Sequence, residues 1–301
     1  MPCKRAVFAF LNHKEYMKQP ICAFRLVLPV LLAAALSACG GGSSSSDTQV
    51  AVNPATPVNP LPPVTPVTPP PAGIDTGSVS APFAKGLSPR YLLLAVASQA
   101  YGTLGSVAQD SSGALSGISG ISFSGTPAIT RDVVGDAAFA QGRWFTGTLT
   151  RSSGTTVMSG NNASAHYSVY NTVAALPFTG AFQCDAGKFT APSYTGGASV
   201  QQDGYFGTAS GSATLAFGAT GAALAMTVDA TAGGSTGKAS GTGTINTPDM
   251  TVISGGFLGG SSGMLLALGD GGTGTYLVTG GYKVVMANGA NYQGVATFRC
   301  S

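Results

Sequence analysis

The stretch SATLAFGATGAALAMTVDA, residues 212–230, contains two runs in which apolar side chains alternate with polar or small ones. Leu215 and Phe217 share one face of the first run, and Met226 and Val228 share one face of the second. A period of two residues is typical of a strand with one dry and one wet face. The stretch therefore predicts an antiparallel β-hairpin.

The same alternation of apolar with polar or small residues continues on both sides of this hairpin, with turn signals such as Asn288-Gly289 between the runs. From Pro82 onward the sequence predicts further strands at 119–130, 138–151, 164–173, 178–184, 187–194, 204–211, 237–246, 249–254, 263–269, 274–286 and 291–300. We therefore predict one all-β domain over residues 82–301. Short antiparallel connections favour an up-and-down barrel, or else a meander or sandwich.

One segment departs from the alternation. Residues 91–100 are almost entirely apolar, Ser88-Pro89 precede them and Gly102 follows. Serine before proline and glycine at the far end are the start and stop signals of a helix. We predict one short helix near residues 89–101, with a buried strand as the alternative.

The N-terminal region has a basic stretch, an apolar core over residues 26–35 and then small residues. The core is too short to span a bilayer, which takes about 20 apolar residues. This pattern predicts a signal peptide over residues 1–38. Met17, followed by Lys18 and Arg25, would open a compact signal by itself, and we hypothesise that translation starts there.

The end of this signal, Leu36-Ser37-Ala38-Cys39, resembles the lipobox of bacterial lipoproteins. The resemblance implies that the Cys39 thiol carries a diacylglycerol, that palmitate-type acyl chains hold the protein on the membrane, and that Cys39 becomes the N-terminus. Gly40, rather than aspartate, follows the cysteine. The resemblance thus implies a lipid anchor in the outer membrane, on its periplasmic face or on the cell surface.

Residues 39–81 are predicted to form a tether. A Gly/Ser tract comes first, and nine of the chain's 18 prolines follow between Pro54 and Pro71. Such a segment is extended and semi-rigid because proline favours the polyproline II conformation. We interpret it as a spacer, with a docking site for a proline-recognising partner as the alternative.

Charge excludes some functions once the signal is removed. Five of the 14 Lys and Arg residues and the only glutamate precede Cys39, which leaves nine basic residues against ten aspartates. A nucleic-acid-binding surface needs a basic excess, so we predict no nucleic-acid partner. Acid–base catalysis draws mostly on His, Glu and Asp. Because only one histidine, His166, and no glutamate follow Cys39, we predict that the protein is not an enzyme and take His166 as a packed or exposed strand residue.

Removal of the signal also reduces the number of cysteines that are available for a disulfide. Cys3 and Cys22 lie in the signal and Cys39 is the lipid site, which leaves Cys184 and Cys300. Both fall on the more apolar faces of their predicted strands. In an exported protein two such cysteines predict one disulfide, with two reduced buried thiols as the alternative. Two cysteines and one histidine fall short of a four-ligand structural zinc site, so we predict no metal and no cofactor.

Two stretches match the Gly-x-Ser-x-Gly pattern of a hydrolase nucleophile, residues 233–237 and 259–263. That nucleophile needs a strand-to-helix turn, with Asp and His following in order. No helical pattern follows either serine, and His166 precedes both. We interpret both as glycine-rich turns.

Trp144 is the only tryptophan. In residues 143–151 it alternates with Phe145 and Leu149, which share the opposite face, and Arg143 and Arg151 flank the run. An exposed tryptophan beside arginines suits a binding hot spot. We predict Trp144, Arg143 and Arg151 as partner contacts, with a buried Trp144 as the alternative.

The lipobox and tether resemble the N-termini of transferrin-binding and factor H-binding surface lipoproteins, whose domains are glycine-rich antiparallel barrels. Gly255-Gly256-Phe257-Leu258-Gly259 and Gly204-Tyr205-Phe206-Gly207 are loosely similar to the Gly-x-Phe-x-Gly elements of those barrels. The resemblance implies a binding or interaction module that contacts a protein or a small ligand and meets the membrane through its lipid. The alternative is a structural or assembly lipoprotein of the cell envelope.

Overall fold

The computed structural model describes residues 78–96, 98–160, 163–201 and 207–301. The predicted signal peptide, Cys39 and the predicted tether up to residue 77 lie outside these residues. The described part of the chain contains no helix with the length and apolarity needed to cross a membrane. Its strands are β1 Ser78–Val79, β2 Pro89–Ala95, β3 Ser98–Thr103, β4 Val107–Gln109, β5 Leu115–Ile118, β6 Ile121–Gly135, β7 Phe139–Arg151, β8 Gly154–Ser159, β9 Ala165–Asn171, β10 Gly180–Gln183, β11 Lys188–Phe189, β12 Ser193–Gly197, β13 Gly207–Gly218, β14 Gly221–Ala232, β15 Ser235–Ile245, β16 Thr251–Gly255, β17 Gly263–Gly272, β18 Thr275–Val285 and β19 Ala290–Cys300.

These strands form three sheets. Sheet I has the order β3-β2-β9-β7-β6-β5-β4, with β1 on β6 and β8 on β7. Sheet II is β10-β13-β14-β15, and sheet III is β11-β19-β18-β17-β16 with β12 on β19. The predicted all-β class with antiparallel neighbours is confirmed. The described sheets do not close into a barrel, so the meander and sandwich form of the prediction applies.

The hairpin predicted from residues 212–230 is the centre of sheet II. β13 and β14 pair antiparallel from Gly207↔Ala232 to Gly218↔Gly221. Leu215 and Met226 are buried, as the alternation predicts. A two-glycine turn leads into β15, so the three strands form a meander.

Sheet III is the middle layer, and this position explains its apolar strands. In β17, Met264 and Leu266 pack in a cluster with the buried side chains of sheet II. Leu265, which points to the opposite face, packs with Leu92 and Leu94 of sheet I. A strand covered on both faces needs apolar residues at successive positions, in contrast to a half-buried strand.

The prediction of a helix near residues 89–101 is wrong, and burial on both faces is again the reason. The segment forms strands β2 and β3, paired from Arg90↔Thr103 to Ala95↔Ser98. Leu92 and Leu94 face sheet III while Leu93 packs into a separate core of sheet I. A continuous apolar run fits a helix or a strand buried on both faces equally well, and here tertiary packing selects the strand.

Sheet I curves around its own core. Tyr167 of β9 and Leu115 of β5 are not in neighbouring strands, yet the Leu115 N–H donates to the Tyr167 hydroxyl at 3.2 Å. Phe123 lies in the same cluster. This core is separate from the two on either side of sheet III.

Two further contacts define the ends of the domain. Ser78 and Val79, which the sequence assigned to the tether, pair in parallel with Val134 and Gly135 of β6. At the other end, Cys184 and Cys300 lie at bonding distance, with an S–S separation of 2.00 Å. Since Cys184 follows β10 and Cys300 ends β19, this bond ties sheet II to sheet III.

Candidate functional site

Trp144 is a core residue, and the prediction that it is an exposed partner contact is wrong. Its side chain is 5% exposed. The indole Nε1–H donates to the Leu115 carbonyl at 2.7 Å, and the ring stacks on Phe123 with centroids 5.3 Å apart. A buried indole with its N–H satisfied stabilises the fold and presents nothing to a partner.

The cause of the error is a bulge in β7. Ile129 and Thr130 of β6 are consecutive, but their partners Thr146 and Trp144 are two positions apart, so Phe145 is an extra residue. Gly147 has φ +128°, and the register between β6 and β7 shifts across this region. The irregularity interrupts the alternation, so Trp144 before it and Leu149 after it both enter the core of sheet I. When a strict period-two alternation is extended through such a bulge, one of the two residues is assigned to the wrong face.

Arg143 is also buried, at 4% exposed, and is wrong as a partner contact. Its Nε lies 2.9 Å from Oδ2 of Asp132, and that carboxylate oxygen accepts the backbone N–H of Ala191 at 2.9 Å. Burial lowers the pKa of Arg143, and the neighbouring Asp132 opposes this shift. The pair fastens β6 and β7 to the segment before β12.

Arg151 lies at the far end of β7, where it pairs with Gly154 across the turn to β8. It lies seven positions along the strand from Trp144, which at about 3.3 Å per residue is roughly 23 Å. It is half-buried. The structure therefore does not gather Trp144, Arg143 and Arg151 into one surface.

His166 is fully buried between sheets I and III. Its Nδ1 lies 2.8 Å from Oγ1 of Thr190, whose backbone carbonyl accepts the Tyr282 hydroxyl at 2.8 Å. Burial holds the pKa of His166 well below its ordinary value, and Arg143 adds to the effect. The imidazole is therefore a neutral, packed group, as the sequence suggested for a lone strand histidine.

A buried polar layer continues from there across the interface of sheets I and III. Thr297 donates to Oε1 of Gln141 at 2.8 Å and lies 2.8 Å from the Thr279 hydroxyl, which in turn lies 3.2 Å from that of Ser168. Gln141 Nε2 donates to the Lys188 carbonyl at 3.2 Å. Because these groups satisfy one another, the layer is a structural network.

A cleft of about 480 Å³ opens at one end of the same interface. It is bounded by the β2–β3 hairpin, by β12, β18 and β19, and by the loop 256–262. The polar side chains around it come from five separate parts of the chain and include Ser98, Gln99, Thr195, Ser261, Lys283, Asn291 and Gln293. The volume is that of a small-molecule site.

Lys283 and Gln293 are the two side chains that distinguish this cleft. They are directly opposite each other in the β18–β19 pair, so they lie side by side on one face. Lys283 is half-buried, makes no ion pair with any described residue and lies over the ring of Phe257, 5.6 Å from its centroid. Burial lowers its pKa.

Gln293 is 2% exposed, and its Nε2 finds no acceptor among the described residues. A buried amide N–H without a partner destabilises a fold by about 1–3 kcal/mol. Unsatisfied polar groups are rare in native structures and call for a specific reason. Gln293 borders the cleft, so rotation of its side chain would bring this donor to a ligand there.

A glycine allows the loop 256–262 to form one wall. Gly263, which pairs with Lys283, has the backbone nitrogens of Phe257 and Gly256 at 2.3 and 2.6 Å from where a Cβ would lie. The loop therefore folds directly onto the sheet beside Lys283. Ser262 fixes it there, since its hydroxyl accepts the Val285 N–H at 2.9 Å.

The loop contains one of the two Gly-x-Ser-x-Gly matches. Ser261 borders the cleft, but β17 follows it rather than a helix, and Ser235 in the other match begins β15. Both stretches are turns, as interpreted from the sequence. Within the described residues, no group of three or more His, Cys, Asp or Glu side chains could hold a metal ion.

Sequence reasoning did not identify the cleft. Lys283 and Gln293 fall inside strands that were predicted, and the Asn288-Gly289 turn between them could have given their pairing. The available signal was a charged residue in a strand that is apolar on both faces. Gln99 and Thr195 join them only through strand pairing across about 90 residues of sequence or more, which no local pattern encodes.

Comparison of the chain with protein-family models, with curated proteins and with solved structures finds no match.

Proposed function

We propose that this protein is a lipid-anchored outer-membrane lipoprotein whose β-domain binds a small ligand in the cleft at Lys283. The observation that carries the binding function is the juxtaposition of Lys283, which has no ion pair among the described residues, with the buried Gln293 amide, which has no acceptor among them. The lipobox ending at Cys39 supports the anchor, and the predicted tether from Cys39 to residue 77 would hold the domain away from the membrane.

The presence of a glutamine at this buried position also supports a binding function. An apolar residue of the same size would avoid a buried unsatisfied amide. Natural proteins depart from such local rules mainly at functional sites. We therefore attribute the buried, unsatisfied amide of Gln293 to ligand binding rather than to a role in the fold.

The test of binding uses the purified full chain and a panel of glucose, N-acetylglucosamine, glucuronate, galacturonate and dialanine, measured by thermal shift and then by titration calorimetry. We expect at least one of these to raise the melting temperature. Thr195→Trp, which fills the cleft, should abolish the effect. Thr242→Trp, on the exposed face of sheet II, is the matched control and should not.

Failure of every compound would overturn the binding proposal and favour the structural or assembly alternative. The anchor is tested separately, by labelling cells with radioactive palmitate. We expect label in the wild-type chain and none in Cys39→Ser. Equal labelling of both would contradict lipidation at Cys39. Protease treatment of intact cells then distinguishes the cell surface from the periplasmic face.

A further inference from the structure

The charges around the cleft specify the charge of its ligand. Lys283 is the one charged side chain among the described lining residues, and neither an aspartate nor an arginine accompanies it. One ammonium group balances one negative charge. A phosphate dianion would require a second cation, whereas a carboxylate is matched by Lys283 alone.

The adjacent donor fits the same group. Gln293 lies directly across from Lys283 and carries an N–H with no acceptor in the described chain. A carboxylate has two oxygens, and each can accept a hydrogen bond. One oxygen can therefore pair with the ammonium group while the other accepts the buried amide.

The rest of the cleft suits hydroxyl groups. Ser98, Thr195 and Ser261 contribute hydroxyls, and Gln99 contributes an amide. Hydroxyls and amides both donate and accept hydrogen bonds, as do the hydroxyls of a sugar. Leu258, which is 66% exposed at the edge of the cleft, adds an apolar surface.

We infer that the cleft selects hydroxylated monocarboxylates, with sugar acids as the ligand class, their carboxylate held between Lys283 and Gln293. The inference rests on the proposed function, because it names the ligand class of the same cleft. It requires affinity to depend on the negative charge itself and on these two side chains.

The experiment measures dissociation constants of the purified full chain by titration calorimetry. The probes are glucuronate and galacturonate, the neutral amides glucuronamide and galacturonamide, and glucose 6-phosphate. We expect at least one acid to bind about 10- to 100-fold more tightly than its amide, the range for a hydrogen bond to a charged group. Glucose 6-phosphate should bind more weakly than that acid.

Variants assign the effect to the residues. Lys283→Met should reduce acid affinity to the level of the amide and leave amide affinity within about threefold, a difference under 1 kcal/mol. Lys238→Met is the matched control, since Lys238 is 63% exposed and pairs with Asp229 on the outer face of sheet II. It should leave the affinity for the acid unchanged.

The outcomes separate the inference from the proposed function. Equal binding of acid and amide, both abolished by Thr195→Trp, would retain the cleft as a binding site and overturn its selection of carboxylates. Tighter binding of glucose 6-phosphate, or binding of other compounds but of neither acid, would overturn it as well. Absence of binding by every compound tested would overturn the proposed function itself.

Discussion

Gln293 illustrates how a single residue can mark function within a core. Thr297, on the same strand and the same face, has a partner, because it donates to Gln141. The Gln293 amide lacks one among the described residues. The hydrogen bond of Thr297 stabilises the fold, whereas the unsatisfied amide of Gln293 destabilises it. Substitutions at the two positions should therefore change the free energy of unfolding in opposite directions.

Gln293→Met is expected to raise the free energy of unfolding by about 1 kcal/mol, because it removes a buried unsatisfied amide and keeps the side-chain volume. Thr297→Val is the comparison, and should lower it by about 1–3 kcal/mol since it leaves the Gln141 oxygen without its donor. Urea unfolding measures both. A loss of stability in Gln293→Met as large as that in Thr297→Val would contradict the account.

Trp144→Phe is expected to lower the free energy of unfolding by about 1–3 kcal/mol, because the Leu115 carbonyl loses its donor inside the core. Tyr101→Phe serves as control, since Tyr101 is 44% exposed, and should change it by less than about 0.5 kcal/mol. Urea unfolding followed by circular dichroism gives both values. Equal, small effects would mean that Trp144 is a surface residue.

Faces of single residues were predictable wherever alternation is unbroken, as at Leu215 and Met226. Trp144 shows where that reasoning ends. The alternation in β7 is interrupted at Phe145, which the register with β6 skips, and no local pattern in the sequence marks this bulge. The burial of Arg143 depends on Asp132, whose approach is equally invisible in the sequence.

At the scale of elements, the loop 256–262 and the β2–β3 hairpin build the cleft. Strand positions were largely predictable because period-two patterns are local. The hairpin was assigned as a helix because Leu92, Leu93 and Leu94 are consecutive, and only contact with sheet III on one side and the core of sheet I on the other explains such a run in a strand.

The loop gives the next prediction. Gly263→Ala should displace it, because the new Cβ would meet the nitrogens of Phe257 and Gly256. Hydrogen exchange at Gly256 and Gly259, whose N–H groups donate within the loop, should accelerate at least about tenfold, the effect of roughly 1.4 kcal/mol of lost protection. Gly260→Ala is the control, since no atom of the described residues lies within 4 Å of its Cβ position. Unchanged exchange in Gly263→Ala would contradict this packing.

The bond between Cys184 and Cys300 closes a segment with a sequence separation of 116 residues. Replacing both with alanine should lower the free energy of unfolding by about 4–5 kcal/mol on the chain-entropy model. Urea unfolding of the double variant measures the loss. Detection of two free thiols in the unfolded wild-type chain under non-reducing conditions would instead favour the reduced alternative, apart from any thiol in residues 1–39.

At the scale of the molecule, three sheets are stacked with sheet III in the middle, and two different interfaces result. The one with sheet II is apolar, while the one with sheet I contains His166, Arg143 and the polar layer, and ends at the cleft. The sequence predicted strands and antiparallel neighbours, but sheet order depends on long-range pairing. The cleft, which combines residues 98–99, 195, 261, 283 and 293, depends on that order entirely.

The buried interface predicts a pH dependence. The pKa of His166 in the folded protein is well below 6.5, so the unfolded chain binds a proton more readily as pH falls below about 6.5. Stability from this residue is therefore full above that pH and is lost below it, by up to about 2 kcal/mol at pH 5. Urea unfolding at pH 8 and pH 5 measures the loss.

His166→Asn should show a smaller difference in stability between the two pH values, because it has no group that titrates in this range. The comparison is made within each protein, so a general loss of stability in the variant does not affect it. An unchanged difference would mean that His166 is not the source of the pH dependence.

Carboxylate binding through Lys283 and Gln293 can be observed at the Gln293 side chain itself. The most direct measurement is the ¹⁵N side-chain amide spectrum of the full chain during titration with the sugar acid that binds most tightly. We expect that the Gln293 signals shift and that those of Gln141, already bonded to Lys188 and Thr297, do not. Binding without any shift at Gln293 would contradict this expectation.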